Sequence, residues 1–137
     1  MKARDIMTPS PECIGENDSI TDAAKKLAKL GVGSMPICKE NNRLGGMITD
    51  RDIVIKVIAQ DRDLSSTRAG ELGEGKPVTI GADDSIELTL QTMADHKVRR
   101  LPVIDGHDLV GIVSLADVAK NADEELVGRV LEVISQG

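Results

Sequence analysis

Two short segments of the sequence carry residues that could bind an oxygen-rich ligand. Each contains a glycine, two apolar residues, a hydroxyl residue and, three positions after the hydroxyl, an aspartate; they span 46–52 and 111–117. A hydroxyl at the start of a helix can cap that helix or bind a ligand oxygen, so Thr49 and Ser114 have two possible uses. The carboxylates of Asp52 and Asp117 can accept hydrogen bonds from neighbouring sugar hydroxyls. The pattern therefore predicts a ligand site in each segment.

A structural explanation of the same pattern is the capping box, in which a helix begins with a hydroxyl residue and an acid follows three residues later. Capping boxes normally use Glu or Gln at the acid position, whereas both segments have Asp. The use of Asp in both segments, each placed after a strand that contains a proline, favours ligand binding over capping alone.

The two segments occupy equivalent places in an internal repeat. Sliding the sequence by 66 residues lays 13–20 over 79–86 and Pro36 over Pro102, and the two segments align after a one-residue gap in a turn. Similarity at a fixed offset indicates a duplicated supersecondary unit. Chance similarity between helical stretches does not explain why glycine, proline and aspartate recur in the same order.

Each repeat predicts the order strand–helix–strand–strand–helix, and therefore a mixed α/β (α+β) fold. Asp18–Ser19 and Asp84–Ser85 are helix start signals, and apolar residues follow each of them at helical spacing. Two such sheets can each bury an apolar face when they pack as a pseudo-twofold pair. After the first helix of each repeat, the sequence predicts strands at 35–38 and 44–48 and at 101–104 and 109–113. A second helix is predicted to follow in each repeat, at 50–60 and at 116–121.

Two further helical stretches have apolar surfaces whose partners the sequence leaves open. Residues 53–59 are apolar on nearly all sides, which indicates burial either inside the pair or against a second chain. After the repeat, 122–137 predicts a C-terminal helix with an apolar stripe that covers the module or joins two subunits. Both stretches lead us to expect a homodimer.

The composition excludes several classes of function. A formal net charge of −6 argues against nonspecific nucleic-acid binding, and the absence of Phe, Tyr and Trp removes the usual base-stacking side chains. No segment approaches the roughly 18 apolar residues of a membrane span, so we expect a cytoplasmic protein without membrane contact. Two cysteines and two histidines form no recognisable metal pattern, and no base stands beside an activated nucleophile. We therefore expect no metal, no required cofactor and no enzymatic activity.

On the repeat and the two segments, the chain resembles a tandem pair of CBS domains, known as a Bateman module. The resemblance covers about residues 1–121, with domain limits at 1–66 and 67–121, and the compact pair resembles stand-alone hypoxic-response-type CBS proteins. It implies a regulatory module that binds an adenine-containing ligand, AMP, ADP, ATP or S-adenosylmethionine, in clefts between the two domains. It also implies an unidentified effector protein as a possible partner.

The resemblance assigns roles to matching positions. Asp117 and Asp52 would hold ribose hydroxyls, and Ser114 and Thr49 would hold ribose or phosphate oxygens. Arg51, Arg99 and Arg100 are candidate phosphate partners, although Arg99–Arg100 could equally be a solvated strand end. Because Gly33–Ser34 stand where the second repeat has these two arginines, we expect the second-repeat site to favour an anionic nucleotide. The pockets would be lined by Ile14, Met35, Pro36 and Ile37 in the first repeat, and by Thr79, Ile80, Leu101, Pro102 and Val103 in the second.

The cysteine pair leads to a separate expectation. Cys13 precedes the first predicted strand and Cys38 ends the strand after the helix, and a strand–helix–strand crossover places such strands side by side. Adjacent strands lie about 4.8 Å apart, which is within disulfide range. A disulfide would suit a second function, that of a stress-response interaction protein with vestigial pockets and a redox switch. Two buried thiols in a reducing cytoplasm are the alternative.

Overall fold

The computed structural model describes residues 1–73 and 77–135. The chain divides into two compact units: Glu12–Pro77, called here the first-repeat unit, and Met1–Pro11 with Val78–Gly137, called the second-repeat unit. The helices are α1 (Ala3–Ile6), α2 (Ile20–Leu30), α3 (Asp50–Asp52), α4 (Ile86–His96), α5 (Leu115–Ala119) and α6 (Glu124–Ser135). The strands are β1 (Thr8–Pro9), β2 (Ile14–Gly15), β3 (Ser34–Cys38), β4 (Leu44–Thr49), β5 (Ile80–Gly81), β6 (Arg100–Asp105) and β7 (Asp108–Ser114). This order confirms the predicted strand–helix–strand–strand–helix pattern in both repeats.

The first-repeat unit is a three-stranded sheet covered by α2. Its strand order is β2-β3-β4, with β2 and β3 parallel and β3 and β4 antiparallel. Helix α2 begins where the Ser19 hydroxyl accepts a hydrogen bond from the Asp22 amide at 3.1 Å, and it ends at Gly31, whose φ of 65° is left-handed. Its apolar face, Ile20, Ala23 and Leu27, is buried in the core.

The second-repeat unit is built in the same way, with one more strand. Its sheet order is β1-β7-β6-β5, and α4 begins where the Ser85 hydroxyl accepts a hydrogen bond from the Leu88 amide at 3.1 Å. Strands β5 and β6 are parallel, and β6 pairs antiparallel with β7. The residues of α4 that face the core, Leu90 and Met93 among them, are almost fully buried.

The segments that begin the two repeats, around Ala3 and Ala69, pack in corresponding ways. The Ala3 amide donates to the Asp84 carbonyl at 2.8 Å in the second-repeat unit, and the Ala69 amide donates to the Asp18 carbonyl at 2.8 Å in the first-repeat unit. Both alanine side chains are 0% exposed. The first eleven residues thus belong to the unit formed by the second repeat. The domain limits inferred from the sequence repeat, 1–66 and 67–121, stay a prediction.

A charged cluster on the surface joins the N-terminal segment to its unit. The Arg4 side chain donates to Asp83 at 2.9 Å and to Asp105 at 3.4 Å. The hydrogen bond from Arg4 holds the pKa of Asp83 below its ordinary value, and the two aspartates raise the pKa of Arg4. Asp83 therefore favours the folded segment at neutral pH, and this contribution is lost as the pH falls through the lowered pKa. Because the groups are exposed, the contribution is small.

The apolar helix after Thr49 is only partly buried. Helix α3 continues as a π-helix over Ile53–Ile58. Ile53 and Val57 are buried, but Val54, Ile55 and Ile58 are 54%, 44% and 53% exposed. The alternative that this helix is buried on all sides within the chain is therefore wrong. One helix face packs on the first-repeat core, and no element within residues 1–73 and 77–135 covers the other face.

The C-terminal helix covers the second-repeat unit. Val130 and Ile134 of α6 are buried in one cluster with residues of α4 and α5, and Val127 packs against it. Of the predicted span 122–137, the helix occupies Glu124–Ser135, and 136–137 lie outside the described residues. Among the helices described, none is both long enough and apolar enough to cross a membrane.

Candidate ligand-binding site

The second-repeat motif lies where β7 ends and α5 begins. The Ser114 hydroxyl accepts a hydrogen bond from the Asp117 amide at 3.1 Å, and the Asp117 carboxylate accepts one from the Ser114 amide at 2.9 Å. Both residues are half-buried. The two side chains therefore close a reciprocal capping box at the strand–helix junction.

The first-repeat motif forms the same box. The Asp52 amide donates to the Thr49 hydroxyl at 3.0 Å, and the Thr49 amide donates to the Asp52 carboxylate at 3.2 Å. Our interpretation that Asp at this position speaks against a capping box is therefore wrong. The shorter Asp side chain reaches the amide of the capping residue in both repeats, and only one carboxylate oxygen is used in doing so.

The second carboxylate oxygen is where the two repeats differ. Asp52 Oδ1 lies 3.5 Å from Lys56 Nζ, in an i,i+4 ion pair that our sequence reasoning missed although the spacing indicates it. The matching residue in the second repeat is Asn121, whose side chain donates to the Asp117 backbone carbonyl at 3.1 Å. Asp117 forms no ion pair with any residue that the structure describes. Its Oδ1 is therefore the better placed of the two to receive ligand hydroxyls.

The two arginines of the second repeat lie beside this motif. Arg100 is directly opposite Ser114 in the β6–β7 register, and the Arg99 carbonyl accepts a hydrogen bond from the Leu115 amide at 2.8 Å. Both arginines are exposed, and neither forms an ion pair within residues 1–73 and 77–135. The fold thus brings Arg100, Ser114 and Asp117 together at one end of the sheet.

The first repeat has the same backbone arrangement with less positive charge. Ser34 is opposite Thr49 in the β3–β4 register, and the Gly33 carbonyl accepts a hydrogen bond from the Asp50 amide at 2.9 Å. The positively charged residue next to this motif in the sequence is Arg51, which is exposed on the first turn of α3. The end of the sheet that carries Arg99 and Arg100 in the second repeat carries Gly33 and Ser34 in the first repeat.

Most of the apolar residues predicted to line the pockets belong to the hydrophobic cores. Their side chains are at most 3% exposed and pack in the core cluster of their own unit. Side chains so placed offer a ligand little surface, so their role as ligand contacts stays a prediction. The six residues are Ile14, Met35 and Ile37 in the first-repeat unit, and Ile80, Leu101 and Val103 in the second-repeat unit.

The two prolines lie on the other side of their strands. Successive strand residues point to opposite faces, so Pro36 and Pro102 face away from the core residues on either side of them. Pro36 pairs with Met47 in register, and Pro102 pairs with Ile112. Thr79 is exposed just before β5. Among the apolar residues predicted to line the pockets, Pro36 and Pro102 therefore lie on the sheet face opposite the helices.

The cysteine pair forms a disulfide in the first-repeat unit. Cys13 and Cys38 are bonded with a Cα–Cα distance of 5.6 Å, and β2 and β3 are parallel neighbours, which confirms the predicted bonding range. Lys26 Nζ donates to the Cys13 carbonyl at 2.9 Å. The matching positions in the second repeat are Thr79 and Ile104, so the crosslink is confined to one repeat.

Comparison with known proteins identifies relatives of nearly the whole chain. The family model described as "CBS domain" matches residues 3–59 and 69–124. Hypoxic response protein 1 of Mycobacterium tuberculosis is 42% identical over 132 residues, covering 96% of this chain and 92% of that protein. The CBS domain-containing protein YhcV of Bacillus subtilis is 39% identical over 137 residues, covering 96% of this chain and 94% of that protein.

Solved structures show the same fold with different ligands. Hypoxic Response Protein I, with two coordinated zinc ions, superposes with a TM-score of 0.84 at 44% identity, covering 90% of this chain and 100% of that one. CBSX2 in complex with AMP superposes with a TM-score of 0.76 at 25% identity, covering 87% and 93%. The CBS domain pair of MJ0100, in complex with 5′-methylthioadenosine and S-adenosyl-L-methionine, has a TM-score of 0.76 at 29% identity, covering 88% and 94%.

The zinc ions of that relative prompt a test of this chain's donor residues. Both cysteines are joined to each other, and no group of three or more His, Cys, Asp or Glu side chains is placed to hold a metal ion among the described residues. A structural zinc site needs four such ligands. With the disulfide formed, the described residues therefore do not fit a zinc site built from this chain alone.

Proposed function

Since the chain belongs to the CBS-domain family, we propose that it is a non-catalytic regulatory module that binds an adenine-containing ligand at its second-repeat motif. The observation that carries the proposal is the half-buried Asp117 carboxylate, which has one oxygen outside the capping box and no cation partner among the described residues. Exposed Arg99 and Arg100 at the same end of the sheet supply positive charge. AMP, ADP, ATP and S-adenosylmethionine are the candidate ligands, and an effector protein would receive the signal.

Each residue of the motif has a proposed role. Asp117 Oδ1 accepts hydrogen bonds from the ribose hydroxyls, and the Ser114 hydroxyl contacts a ribose or phosphate oxygen. Arg99 and Arg100 hold phosphate, because a guanidinium fork matches two phosphate oxygens. AMP and S-adenosylmethionine bound to CBSX2 and to MJ0100 support a ligand of this class. The proposed chemistry is recognition alone, and it requires no nucleophile, base or metal.

Replacing Asp117 by Ala is expected to weaken binding of AMP or ATP by about 10- to 100-fold, the worth of a hydrogen bond to a charged group. Asp52→Ala is the matched control, because it removes the equivalent capping box while its carboxylate is already paired with Lys56. Isothermal titration calorimetry with the four ligands gives the affinities, and thermal unfolding corrects for the lost cap, about 1 kcal/mol. Equal affinities for wild type and Asp117→Ala would overturn the proposal.

A second candidate function is a redox-switched interaction protein whose ligand sites are vestigial. The observation that favours it is the disulfide beside β2 and β3, the strands of the first-repeat site. This candidate predicts no binding of any of the four ligands in either redox state, together with a change in effector binding when Cys13 and Cys38 are reduced. Saturable binding of a nucleotide to the reduced and oxidised protein alike would rule it out.

We expect the protein to be a homodimer at micromolar concentration. Exposed apolar side chains on its helices, Ile55 and Ile58 in the first-repeat unit and Leu131 in the second, are the reason. Sedimentation equilibrium between about 1 and 100 µM covers the expected dissociation constant. A constant of about 1 µM corresponds to an association free energy of about −8 kcal/mol. A single species with the mass of one chain throughout that range would contradict this expectation.

A further inference from the structure

The disulfide of the first-repeat unit crosslinks a strand pair that the second-repeat unit forms without a crosslink. The Glu16 amide donates to the Cys38 carbonyl at 3.2 Å, and the Ala82 amide donates to the Ile104 carbonyl at 2.9 Å. Strands β2 and β3 are parallel neighbours in the same register as β5 and β6. Because β5 and β6 pair in this way without a disulfide, the pairing of β2 with β3 does not depend on the bond.

A lysine accompanies the two cysteines in the first repeat. Lys26 lies on α2, and its Nζ donates to the Cys13 carbonyl at 2.9 Å. The amine and the two sulfur atoms therefore meet at one place in the first-repeat unit. The second repeat carries none of the three residues, since the positions that match Cys13, Lys26 and Cys38 are occupied by Thr79, Thr92 and Ile104.

The positive charge of Lys26 is only weakly compensated by other residues. Its one carboxylate neighbour among the described residues is Asp18, whose Oδ2 lies 3.8 Å from Lys26 Nζ. The same oxygen accepts a hydrogen bond from the Gly15 amide at 2.9 Å. An ammonium group beside a cysteine favours its thiolate form, so Lys26 would stabilise a thiolate at Cys13.

The charged residues next to the cysteines in the sequence do not have this effect. Lys39 follows Cys38, but its side chain packs against β4, where its Cγ lies 3.1 Å from the place of a Cβ added to Gly45. Strands β4 and β2 lie on opposite sides of β3, so Lys39 is directed away from Cys13. Glu12 is exposed, and its charge is screened by solvent. The two sulfur atoms are therefore unequal, because the ammonium lies on the Cys13 side.

Both cysteines are accessible enough to react. Each is half-buried, and neither belongs to the core cluster of the first-repeat unit. Reactive cysteines lie in partly exposed, electropositive surroundings, whereas structural cysteines are buried and inert. The surroundings of this bond are therefore those of a disulfide that exchanges with thiols in solution.

We infer that the Cys13–Cys38 bond is a thiol–disulfide exchange site for low-molecular-weight thiols, at which Lys26 stabilises the departing thiolate of Cys13. A thiolate RS⁻ attacks Cys38 Sγ, the S–S bond breaks, and its electron pair leaves with Cys13 Sγ. A second RS⁻ attacks the thiol-derived sulfur of the mixed disulfide, which releases RS–SR and the thiolate of Cys38. The protein gains two electrons, two thiols are oxidised to one disulfide, and RS–SR reverses both steps.

The first test is the rate at which reduced glutathione opens the bond at neutral pH, measured by alkylation of the released thiols and intact mass. Lys26→Gln is expected to slow the reaction about fivefold, because the departing thiolate loses its ammonium partner. Lys26→Arg keeps the charge and should retain the wild-type rate. Lys25→Gln is the matched control, since it removes the same charge from the adjacent exposed position and should change nothing. Loss of stability would accelerate the reaction, so a slower rate is not an unfolding effect.

Single-cysteine variants test which sulfur the lysine activates. In a Cys38→Ser background, Lys26→Gln is expected to slow alkylation of Cys13 by iodoacetamide about threefold, since a smaller thiolate fraction is partly offset by a more nucleophilic thiolate. In a Cys13→Ser background, the same change should leave the alkylation rate of Cys38 unaltered. Far-ultraviolet circular dichroism checks that each variant is folded.

The outcomes that overturn the inference are distinct from those that overturn the proposed function. Equal glutathione rates for wild type and Lys26→Gln, or an equal slowing by Lys25→Gln, would contradict it. Faster alkylation of Cys38 than of Cys13 in the two single-cysteine backgrounds would contradict it as well. The inference does not depend on ligand binding at Asp117, which calorimetry with AMP and ATP tests separately and which Lys26→Gln should leave unchanged.

Discussion

Reduction of the Cys13–Cys38 disulfide is expected to lower the free energy of unfolding by about 3.5 kcal/mol. The bond closes a loop with a sequence separation of 25 residues, and in the chain-entropy model a crosslink of this size restricts the unfolded chain by about that amount. Urea unfolding of the protein with and without a reductant measures the difference. The Cys13→Ala/Cys38→Ala variant should unfold at a urea concentration close to the midpoint of the reduced protein. Its midpoint should be slightly lower, because the alanines fill less space than the thiols do.

The crosslink also predicts where the change is felt. Because Thr79 and Ile104 stand at the matching positions, the second repeat has no such bond. Hydrogen exchange should accelerate in β2 and β3 on reduction, whereas the affinity for a nucleotide at Asp117 should be the same in both redox states. Addition of reductant to the double-alanine variant serves as the control and should change nothing. Superimposable urea curves for the oxidised and reduced wild type would contradict the prediction.

Ala3→Asp is expected to destabilise the protein by about 3 to 5 kcal/mol, the cost of leaving a buried charge without a partner. The Ala3 side chain is fully buried in the core cluster of the second-repeat unit, with Ile80, Leu101 and Val113. Native-state hydrogen exchange should show the loss in β6 and β7, although residue 3 belongs to the first repeat, 1–66, in the sequence.

Two substitutions of the same type make this prediction selective. Ala69→Asp buries the same charge in the core of the first-repeat unit, so its loss of protection should fall in β3 and β4. Ala119→Asp places the charge on the surface at the C-terminal end of α5 and should cost only about 1 kcal/mol, through lost helix propensity and the helix dipole. If Ala3→Asp had no greater effect than Ala119→Asp, the N-terminal segment would not be part of the second-repeat core.

Local interactions account for what was predicted correctly. Helices α2 and α4 follow from a serine cap and apolar residues at helical spacing, and these signals depend on neighbours within a few residues. The repeat carried the same order of elements to both halves, and the parallel pairing of β2 with β3 follows from the crossover between them. The disulfide range was predictable for that reason, because strand spacing is nearly constant.

The capping boxes show why chemistry at the motif could not be derived from residue types alone. A hydroxyl residue followed by Asp is compatible with a ligand site, a cap or both, and only the folded structure shows that one oxygen of Asp117 closes the box. The pairing of Asp52 with Lys56 makes the two motifs unequal. This difference is already present in the sequence, because Asn121 stands at the position that matches Lys56.

The sequence by itself determined the duplication, the α/β order, the two motifs and the proximity of Cys13 to Cys38, since each depends on local patterns or on one crossover. Only the tertiary structure decided that residues 1–11 pack in the second-repeat unit, that the predicted pocket residues such as Leu101 lie in the cores, and that Ile55 and Ile58 remain exposed. These outcomes depend on contacts between residues distant in the chain, and α6 shows why. This helix covers the groove beside α4 in the second-repeat unit. The matching groove beside α2 in the first-repeat unit is open, although the local sequence patterns of the two repeats are alike.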